Sequence, residues 1–252
     1  MRIARFEKGG IESYGIIEKS EIIEISGSIF DENVRLAGSR HDLNGCKLLS
    51  PCSPTKIVCV GLNYTRHAEE LKLQKPEEPV IFIKPSTSVI GPGENIVYPG
   101  TCRQLDYEAE LALVVKKTAK NVARDRVNDY ILGYTCFNDV TARDLQKKDG
   151  QWTRAKSFDT FSPIGPYVET DVNPKNITVE AYLNGQKKQS GNTRDMIFDA
   201  FYLLCFVSSV MTLLPGDVIA TGTPEGVGPM KTGDSIEIRV EGIGSLINKV
   251  VV

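Results

Sequence analysis

The sequence predicts an α+β protein in which strands dominate, and three observations carry that expectation. Short apolar runs bounded by glycine or proline recur along the chain, among them Lys56-Ile57-Val58-Cys59-Val60-Gly61 and Pro79-Val80-Ile81-Phe82-Ile83-Lys84-Pro85. Few stretches carry the longer, unbroken apolar pattern of a helix. No segment repeats with the roughly 20-to-50-residue period of solenoids or propellers, and no tract is of low complexity.

Residues 1–30 alternate in short segments, Arg2–Phe6, Tyr14–Ile17 and Glu21–Ile25, separated by Gly9-Gly10 and charged turns, which reads as a small β-meander. Residues 31–54 carry turn signals at Gly38-Ser39, Asn44-Gly45 and Ser50-Pro51-Cys52-Ser53-Pro54 and read as a linker. A boundary near residue 50 therefore separates a small N-terminal segment, 1–50, from a larger domain, 51–252. In that domain the pattern predicts a strand over 56–61, a short helix from Thr65 to Leu73 opened by Thr65, and a strand over 79–85 stopped by proline at both ends. Leu105 to Lys116 reads as a strand, and Val127 to Thr135 as a turn entering another. Val140 to Lys148 reads as a helix behind a candidate N-cap at Asp139. The longest helix is expected from about Asp195 to Leu213, ended by Leu214-Pro215-Gly216-Asp217 and followed by strands at Val218–Thr221 and Ser235–Val240.

Composition excludes several classes. With 41% apolar and 25% charged residues in 252, the chain has the balance of an ordinary globular protein. Thirty basic against 32 acidic side chains leave a net charge of −2, so no global field favours nucleic acid or an anionic membrane. The longest uncharged apolar stretch, Ala200 to Leu214, falls short of the roughly 20 residues that span a bilayer and reads as a buried helix. The N-terminus is charged at Arg2, Arg5, Glu7 and Lys8 and lacks the apolar core of a signal peptide, which points to the cytoplasm. Six cysteines form no C-x-x-C pair and only two histidines accompany them, so free thiols are expected rather than a structural zinc site; Cys46 and Cys52 are the pair near enough for an exception.

The segment Leu105-Asp106-Tyr107-Glu108-Ala109-Glu110-Leu111 carries the sharpest chemistry. On a strand Asp106, Glu108 and Glu110 share one face, and Tyr107, Ala109 and Leu111 the other. Three carboxylates in a row either face solvent or, near a core, require a cation, because like charges on one face repel. The continuation into Leu113-Val114-Val115 is apolar on both faces, as in a central strand. Asp139 has two readings of its own: a helix N-cap worth about 1 kcal/mol, or a third oxygen ligand that joins Glu108 and Glu110 around Mg²⁺ or Mn²⁺. Arg143 and Gln146 follow Asp139 at helical spacing and are placed to meet an anionic ligand.

Six stretches carry a resemblance: VCVGLNYTRHAEEL at 58–71, IFIKPSTSVIGPGENI at 81–96, LDYEAELALVV at 105–115, YTCFNDVTARDLQ at 134–146, WTRAKSFDTFSPIGP at 152–166 and LLPGDVIATGTPEGVGP at 213–229. The chain resembles the fumarylacetoacetate hydrolase superfamily, in its short branch of acylpyruvate hydrolases, oxaloacetate decarboxylases or tautomerases, and 2-hydroxyhepta-2,4-diene-1,7-dioate isomerases. The resemblance implies a mixed β-sandwich or β-roll like the C-terminal domain of that family, a metal at one mouth, and a homodimer. It implies metal ligation by Glu108, Glu110 and Asp139, with Asp106 beside the ligands rather than among them. His67 and Glu70 match the family's His-x-x-Glu dyad, in which the carboxylate orients the imidazole and raises its basicity so that it can deprotonate water. Lys156 matches the family's active-site lysine, which stabilises an enolate. Thr223 matches a substrate-contacting residue; its glycine-rich loop fits neither nucleotide-binding pattern, G-x-x-x-x-G-K-[ST] or G-x-G-x-x-G.

The implied activity is divalent-metal-dependent hydrolysis of a C–C bond in a β-diketo acid or 2-oxo acid. Decarboxylation, tautomerisation or isomerisation of oxaloacetate or of 2-hydroxy-dienedioates on the same site is the alternative. The N-terminal segment is much shorter than that of fumarylacetoacetate hydrolase proper, which argues against fumarylacetoacetate as the substrate. A non-catalytic metal-binding protein is a reading of another class, and it predicts loss of His67, Glu70 or Lys156, all three of which are present.

Overall fold

Turn residues keep the strands short, and the chain assembles them into three sheets. The computed structural model describes residues 1–31, 34–65 and 75–252. In chain order the strands are β1 (Arg2–Lys8), β2 (Ile11–Glu18), β3 (Glu21–Ser26), β4 (Arg35–Asp42), β5 (Lys47–Leu49), β6 (Lys56–Gly61), β7 (Val80–Pro85), β8 (Val89–Ile90), β9 (Asn95–Val97) and β10 (Leu105–Tyr107). They continue as β11 (Ala109–Val115), β12 (Ile131–Asn138), β13 (Thr141–Ala142), β14 (Ser162–Glu169), β15 (Thr178–Leu183), β16 (Gln186–Asn192), β17 (Val218–Ala220), β18 (Gly228–Met230), β19 (Ser235–Val240) and β20 (Gly244–Val251). Among the described residues the α-helices of more than one residue are α1 (Arg143–Asp149), α2 (Thr153–Lys156) and α3 (Ala200–Val210).

A twelve-stranded sheet runs β4-β3-β2-β1-β14-β12-β11-β17-β6-β7, with β5 joined to β1 and β8 to β14. A five-stranded sheet, β16-β15-β19-β20-β9, and a three-stranded one, β13-β10-β18, complete a β-rich α+β fold. β11 shows why the large sheet is covered on both sides. Leu111, Leu113 and Val115 point into one apolar cluster with Val179, Ile238 and α3, and Ala112 and Val114 into another with Ile57, Val218 and Phe137. The period of two thus yields two cores, because neither face of this central strand meets water.

Several expectations are corrected. Residues 31–54 are more than a linker: β4 pairs with β3 and β5 with β1, and β1 pairs with β14, so the meander extends the large sheet. The predicted strand over 105–116 is interrupted at Glu108, leaving Asp106 on β10 in the three-stranded sheet and Glu110 on β11 in the large one. Side chains take the backbone hydrogen bonds at the break: Glu108 N–H donates to Asn138 Oδ1 at 3.0 Å and Ala109 N–H to Gln189 Oε1 at 2.9 Å. The longest helix starts at Ala200, because the Asp199 carboxylate caps it by accepting from Tyr202 N at 2.7 Å, while Thr193–Asp195 forms only a 3₁₀ turn. The expected helix from Thr65 to Leu73 lies, from residue 66 on, outside the described residues. All six cysteines are free thiols.

Asp217 holds together the two strands that approach the candidate site from this side. Its buried carboxylate accepts from Thr55 N at 2.9 Å, Thr55 Oγ1 at 2.7 Å and Leu214 N at 2.8 Å, and pairs with Lys56 at the start of β6. Burial pushes its pKa up, but Lys56 and the Leu214 and Thr55 donors outweigh burial and hold it below the usual carboxylate range. Asp217→Ala is expected to cost about 3 kcal/mol in urea unfolding, because it strands several buried donors. A folded-state pKa below the unfolded value contributes stability that is present above about pH 4 and lost as pH falls through the folded value. The variant should therefore show a flatter acid limb of stability against pH, and an unchanged limb would refute this role.

Candidate active site

Four strand ends and one loop converge on a cavity of about 260 Å³. Its lining includes Val60 and Gly61 at the end of β6, Phe82 on β7, Glu108 and Glu110 around the strand break, Asp139 after β12, Arg143 and Gln146 on α1, Lys156 on α2, and Thr223 in the loop after β17. Seven of the nine residues singled out from the sequence are thus brought to one cavity; His67 and Glu70 lie outside the described residues.

The break at Glu108 creates the acidic centre. Glu108, Glu110 and Asp139 are buried, and each offers a carboxylate oxygen within 4.8 Å of the other two. The solvent-facing reading of these acids is therefore overturned. Asp139 is not an N-cap either: Thr141–Ala142 forms β13 before α1 begins at Arg143, and the Asp139 N–H donates to Glu108 O at 2.9 Å, which locks the two ligand-bearing segments together.

Cations neutralise this burial. Lys156 Nζ donates to Glu108 Oε2 at 2.8 Å and to Asp139 Oδ2 at 2.7 Å. Burial alone would lower the lysine pKa, but the Asp139 and Glu108 charges outweigh it and hold it above the ordinary value, so the side chain stays an ammonium. Arg143 spreads its guanidinium over three partners: Nε to Asp106 Oδ2 at 2.8 Å, Nη1 to Gln146 Oε1 at 2.6 Å, and Nη2 to Glu108. Glu110 accepts from the Gly222 N–H at 2.8 Å. Burial, then the neighbouring Asp139 and Glu108 charges, push its pKa well above the usual carboxylate range. A divalent cation among the three oxygens relieves that repulsion. Three oxygen donors, with no thiolate or imidazole beside them among the described residues, suit a hard cation of the Mg²⁺ or Mn²⁺ type, so the residues fit the group.

Lys84 is a site residue that the sequence reading passed over. In β7 the apolar Ile83 is 43% exposed while Lys84 is 0% exposed, an inversion of the ordinary preference. The reason is its partners: Nζ donates to Asp139 Oδ1 at 2.6 Å, Phe161 O at 2.6 Å and Val140 O at 3.2 Å, using all three ammonium hydrogens. A lone lysine inside an apolar run stopped by proline was the available signal. Asn63 was also missed. Its buried amide donates to Thr221 O at 2.7 Å and Phe198 O at 2.9 Å and so fixes the start of the Thr223 loop. Two glycines permit close approaches here: a Cβ on Gly61 would come within 2.6 Å of the Trp152 ring, and one on Gly222, at φ +96°, within 2.8 Å of Asn63 Cβ. Trp152 in turn meets Phe82 edge to face at 5.2 Å and forms an apolar wall opposite the acids.

Comparison with known proteins agrees with this geometry. Residues 56–251 match the fumarylacetoacetate (FAA) hydrolase C-terminal family. The chain belongs to that family. Residues 1–51 match a second, Rv2993c-like N-terminal family. An uncharacterized protein of Archaeoglobus fulgidus is 52% identical, over 93% of this chain and 94% of its own. The mitochondrial oxaloacetate tautomerase Fahd2a of Rattus norvegicus is 41% identical, over 79% of this chain and 67% of its own. The crystal structure of 2-hydroxyhepta-2,4-diene-1,7-dioate isomerase from Mycobacterium marinum superposes with a TM-score of 0.93 at 42% identity, covering 100% of this chain and 98% of that one. Membership of the family makes the mixed β-rich fold around the acidic centre the expected one. Among the described residues no helix is long and apolar enough to cross a membrane.

Lys84→Met leaves Asp139 Oδ1 without its ammonium partner and is expected to weaken Mg²⁺ binding by about tenfold or more, because partners of a ligand orient it. Titration calorimetry on the folded variant measures this; an affinity equal to wild type would show that Lys84 serves packing alone.

Proposed function

We propose that the protein is a divalent-metal-dependent enzyme that stabilises the enolate of a 2-oxo acid, with keto–enol interconversion of an oxaloacetate-type diacid as the leading reaction. The observation that carries this reading is the convergence of Glu108, Glu110 and Asp139 in one cavity with Lys156 seated against two of them. A divalent cation held by those three residues would supply Lewis acidity to a bound 2-oxo acid and so make the C–H next to its oxo group more acidic.

The remaining work falls to the chain itself. The Lys156 ammonium stands where negative charge develops on an enolate oxygen and meets it without reorganisation. Arg143, tied to Asp106, Glu108 and Gln146, keeps Glu108 in position and adds positive potential that favours an anionic substrate. Thr223 lines the same cavity and offers a hydroxyl to a substrate oxygen. Phe82, Trp152 and Val60 keep water from one side, which strengthens every charge interaction on the other. His67, oriented by Glu70, is the proposed proton carrier at the carbon next to the 2-oxo group.

The relatives named above, a tautomerase and an isomerase, support enol chemistry. Hydrolysis of a C–C bond in an acylpyruvate or other β-diketo acid is the second reading, and the His67-x-x-Glu70 spacing favours it. In that reaction the same histidine deprotonates a water, and Lys156 stabilises the enolate released when the bond breaks. The proposal includes a homodimer, for which Val80 and Ile83, exposed on edge strand β7, offer an apolar contact.

Metal-stripped protein should neither accelerate ketonisation of enol-oxaloacetate nor cleave acetylpyruvate, and Mg²⁺ or Mn²⁺ should restore one of the two. Glu108→Ala should abolish the restored activity, and Lys156→Met should lower kcat by about 10²- to 10³-fold. Turnover indifferent to chelator would sink the proposal, and the substrate that responds decides between the two reactions.

A further inference from the structure

Gln189 lies on β16, on the five-stranded sheet, yet its side chain reaches the metal-ligand strand and the Thr223 loop at once. It is 1% exposed. Its Oε1 accepts from Ala109 N at 2.9 Å, between Glu108 and Glu110, while its Nε2 donates to Thr223 Oγ1 and to Pro224 O, each at 2.8 Å. The orientation of this amide is not free. Ala109 N–H can only donate and Pro224 O can only accept, so oxygen must face the first and nitrogen the second. Both Nε2 hydrogens are then committed, one of them to the Thr223 hydroxyl.

The packing around Gln189 shows that this contact is built into the fold. A Cβ on Gly191 would come within 2.4 Å of Pro224 Cβ, and one on Gly226, at φ +92°, within 2.5 Å of Lys188 O. Glycine on each side of the contact lets β16 and the loop lie close enough for the amide to bridge them.

We infer that Gln189 is a positioning residue that holds the Thr223 hydroxyl with its hydrogen available to the cavity, so that the substrate group it binds on that wall is an acceptor oxygen, a carboxylate or keto group. A hydroxyl has one hydrogen. Since Oγ1 already receives one from Gln189, and since Thr223 lines the cavity beside Glu108, Glu110 and Asp139, its own hydrogen is directed to whatever occupies that space. Gln189 occupies one lone pair of Oγ1, and the hydroxyl hydrogen turns away from it, so the substrate group that uses that hydrogen is an acceptor oxygen. This deepens the proposed function and rests on it: it favours a substrate whose carboxylate or keto oxygen sits against the loop.

The test is oxalate binding to the Mg²⁺-loaded protein by calorimetry, which needs no turnover. Gln189→Glu keeps an acceptor for Ala109 N–H but presents a second acceptor to Thr223, turning its hydrogen away from the cavity. Gln189→Glu and Thr223→Val are each expected to raise the oxalate Kd by about tenfold or more, the loss of one hydrogen bond to a charged group. The double variant should bind no more weakly than Thr223→Val alone, Thr223→Ser should bind like wild type, and Mg²⁺ affinity without oxalate should be retained throughout. Should Gln189→Glu fail to fold, Gln189→Met removes the donor without adding charge, and its loss should likewise vanish in the Thr223→Val background. Additive losses, an unchanged Kd in the Gln189 variants, or no oxalate binding by wild type would overturn the inference. Wild type that binds oxalate but turns over neither enol-oxaloacetate nor acetylpyruvate would sink the enzymatic proposal and leave this cycle readable.

Discussion

Three carboxylates buried in one cavity, with a fourth, Asp106, buried against Arg143, demand compensation, and much of the local architecture answers that demand. Among the described residues, Asp106, Glu108, Glu110 and Asp139 are matched by three cations, Lys84, Arg143 and Lys156, one fewer than the acids. Taking ions from water costs several kcal/mol each unless partners of opposite charge and hydrogen bonds replace the lost hydration. Among the described residues Glu110 is the acid whose carboxyl accepts from a backbone N–H, that of Gly222, where the other three meet ammonium or guanidinium groups, and burial with the Asp139 and Glu108 charges pushes its pKa well above the usual range. A divalent cation held there would relieve that repulsion.

This arrangement dictates features that look like irregularities when taken separately. The strand from Leu105 breaks at Glu108 because a continuous ladder would keep Glu108 and Glu110 in one row and leave Asp139 out of reach. The broken ladder is repaired by the side chains of Asn138 and Gln189. Lys84 turns inward from an otherwise apolar strand, leaving Ile83 to solvent, because Asp139 and two carbonyls accept all of its hydrogens. Gly222 has no side chain because its backbone must reach Glu110 past Asn63. Each device brings a polar group to a site assembled from distant parts of the chain.

Much of the site was legible because family motifs preserve residue order: Glu108, Glu110, Asp139, Arg143, Gln146, Lys156 and Thr223 line one cavity. The local reasoning behind some of them was less successful. Alternation put three acids on one strand face, where the fold divides them between two sheets. The helix expected from Val140 gave Asp139 a second reading as its cap, where β13 intervenes. Proline and glycine signals made residues 31–54 a linker, where two short strands join the large sheet. Pattern rules see only neighbours in sequence, and in each case a partner far along the chain supplied the deciding hydrogen bonds. Lys84, Asn63 and Gln189 were passed over for the same reason, since nothing beside a buried lysine, asparagine or glutamine announces the distant group that satisfies it.

The sequence by itself determined the β-rich class and the family, and it pointed to Glu108, Glu110, Asp139 and Lys156 but not to Lys84, because strand periodicity and motif chemistry are local properties of the chain. Tertiary structure alone decided how these groups are charged and oriented. It set which carboxylate oxygen meets which cation, which acid accepts from a backbone N–H instead, and which donor the Thr223 hydroxyl accepts from. Those choices depend on distances between segments as remote as Lys84, Asp139 and Gln189, and electrostatic and hydrogen-bond energies are functions of distance and burial, which exist only once the chain has folded.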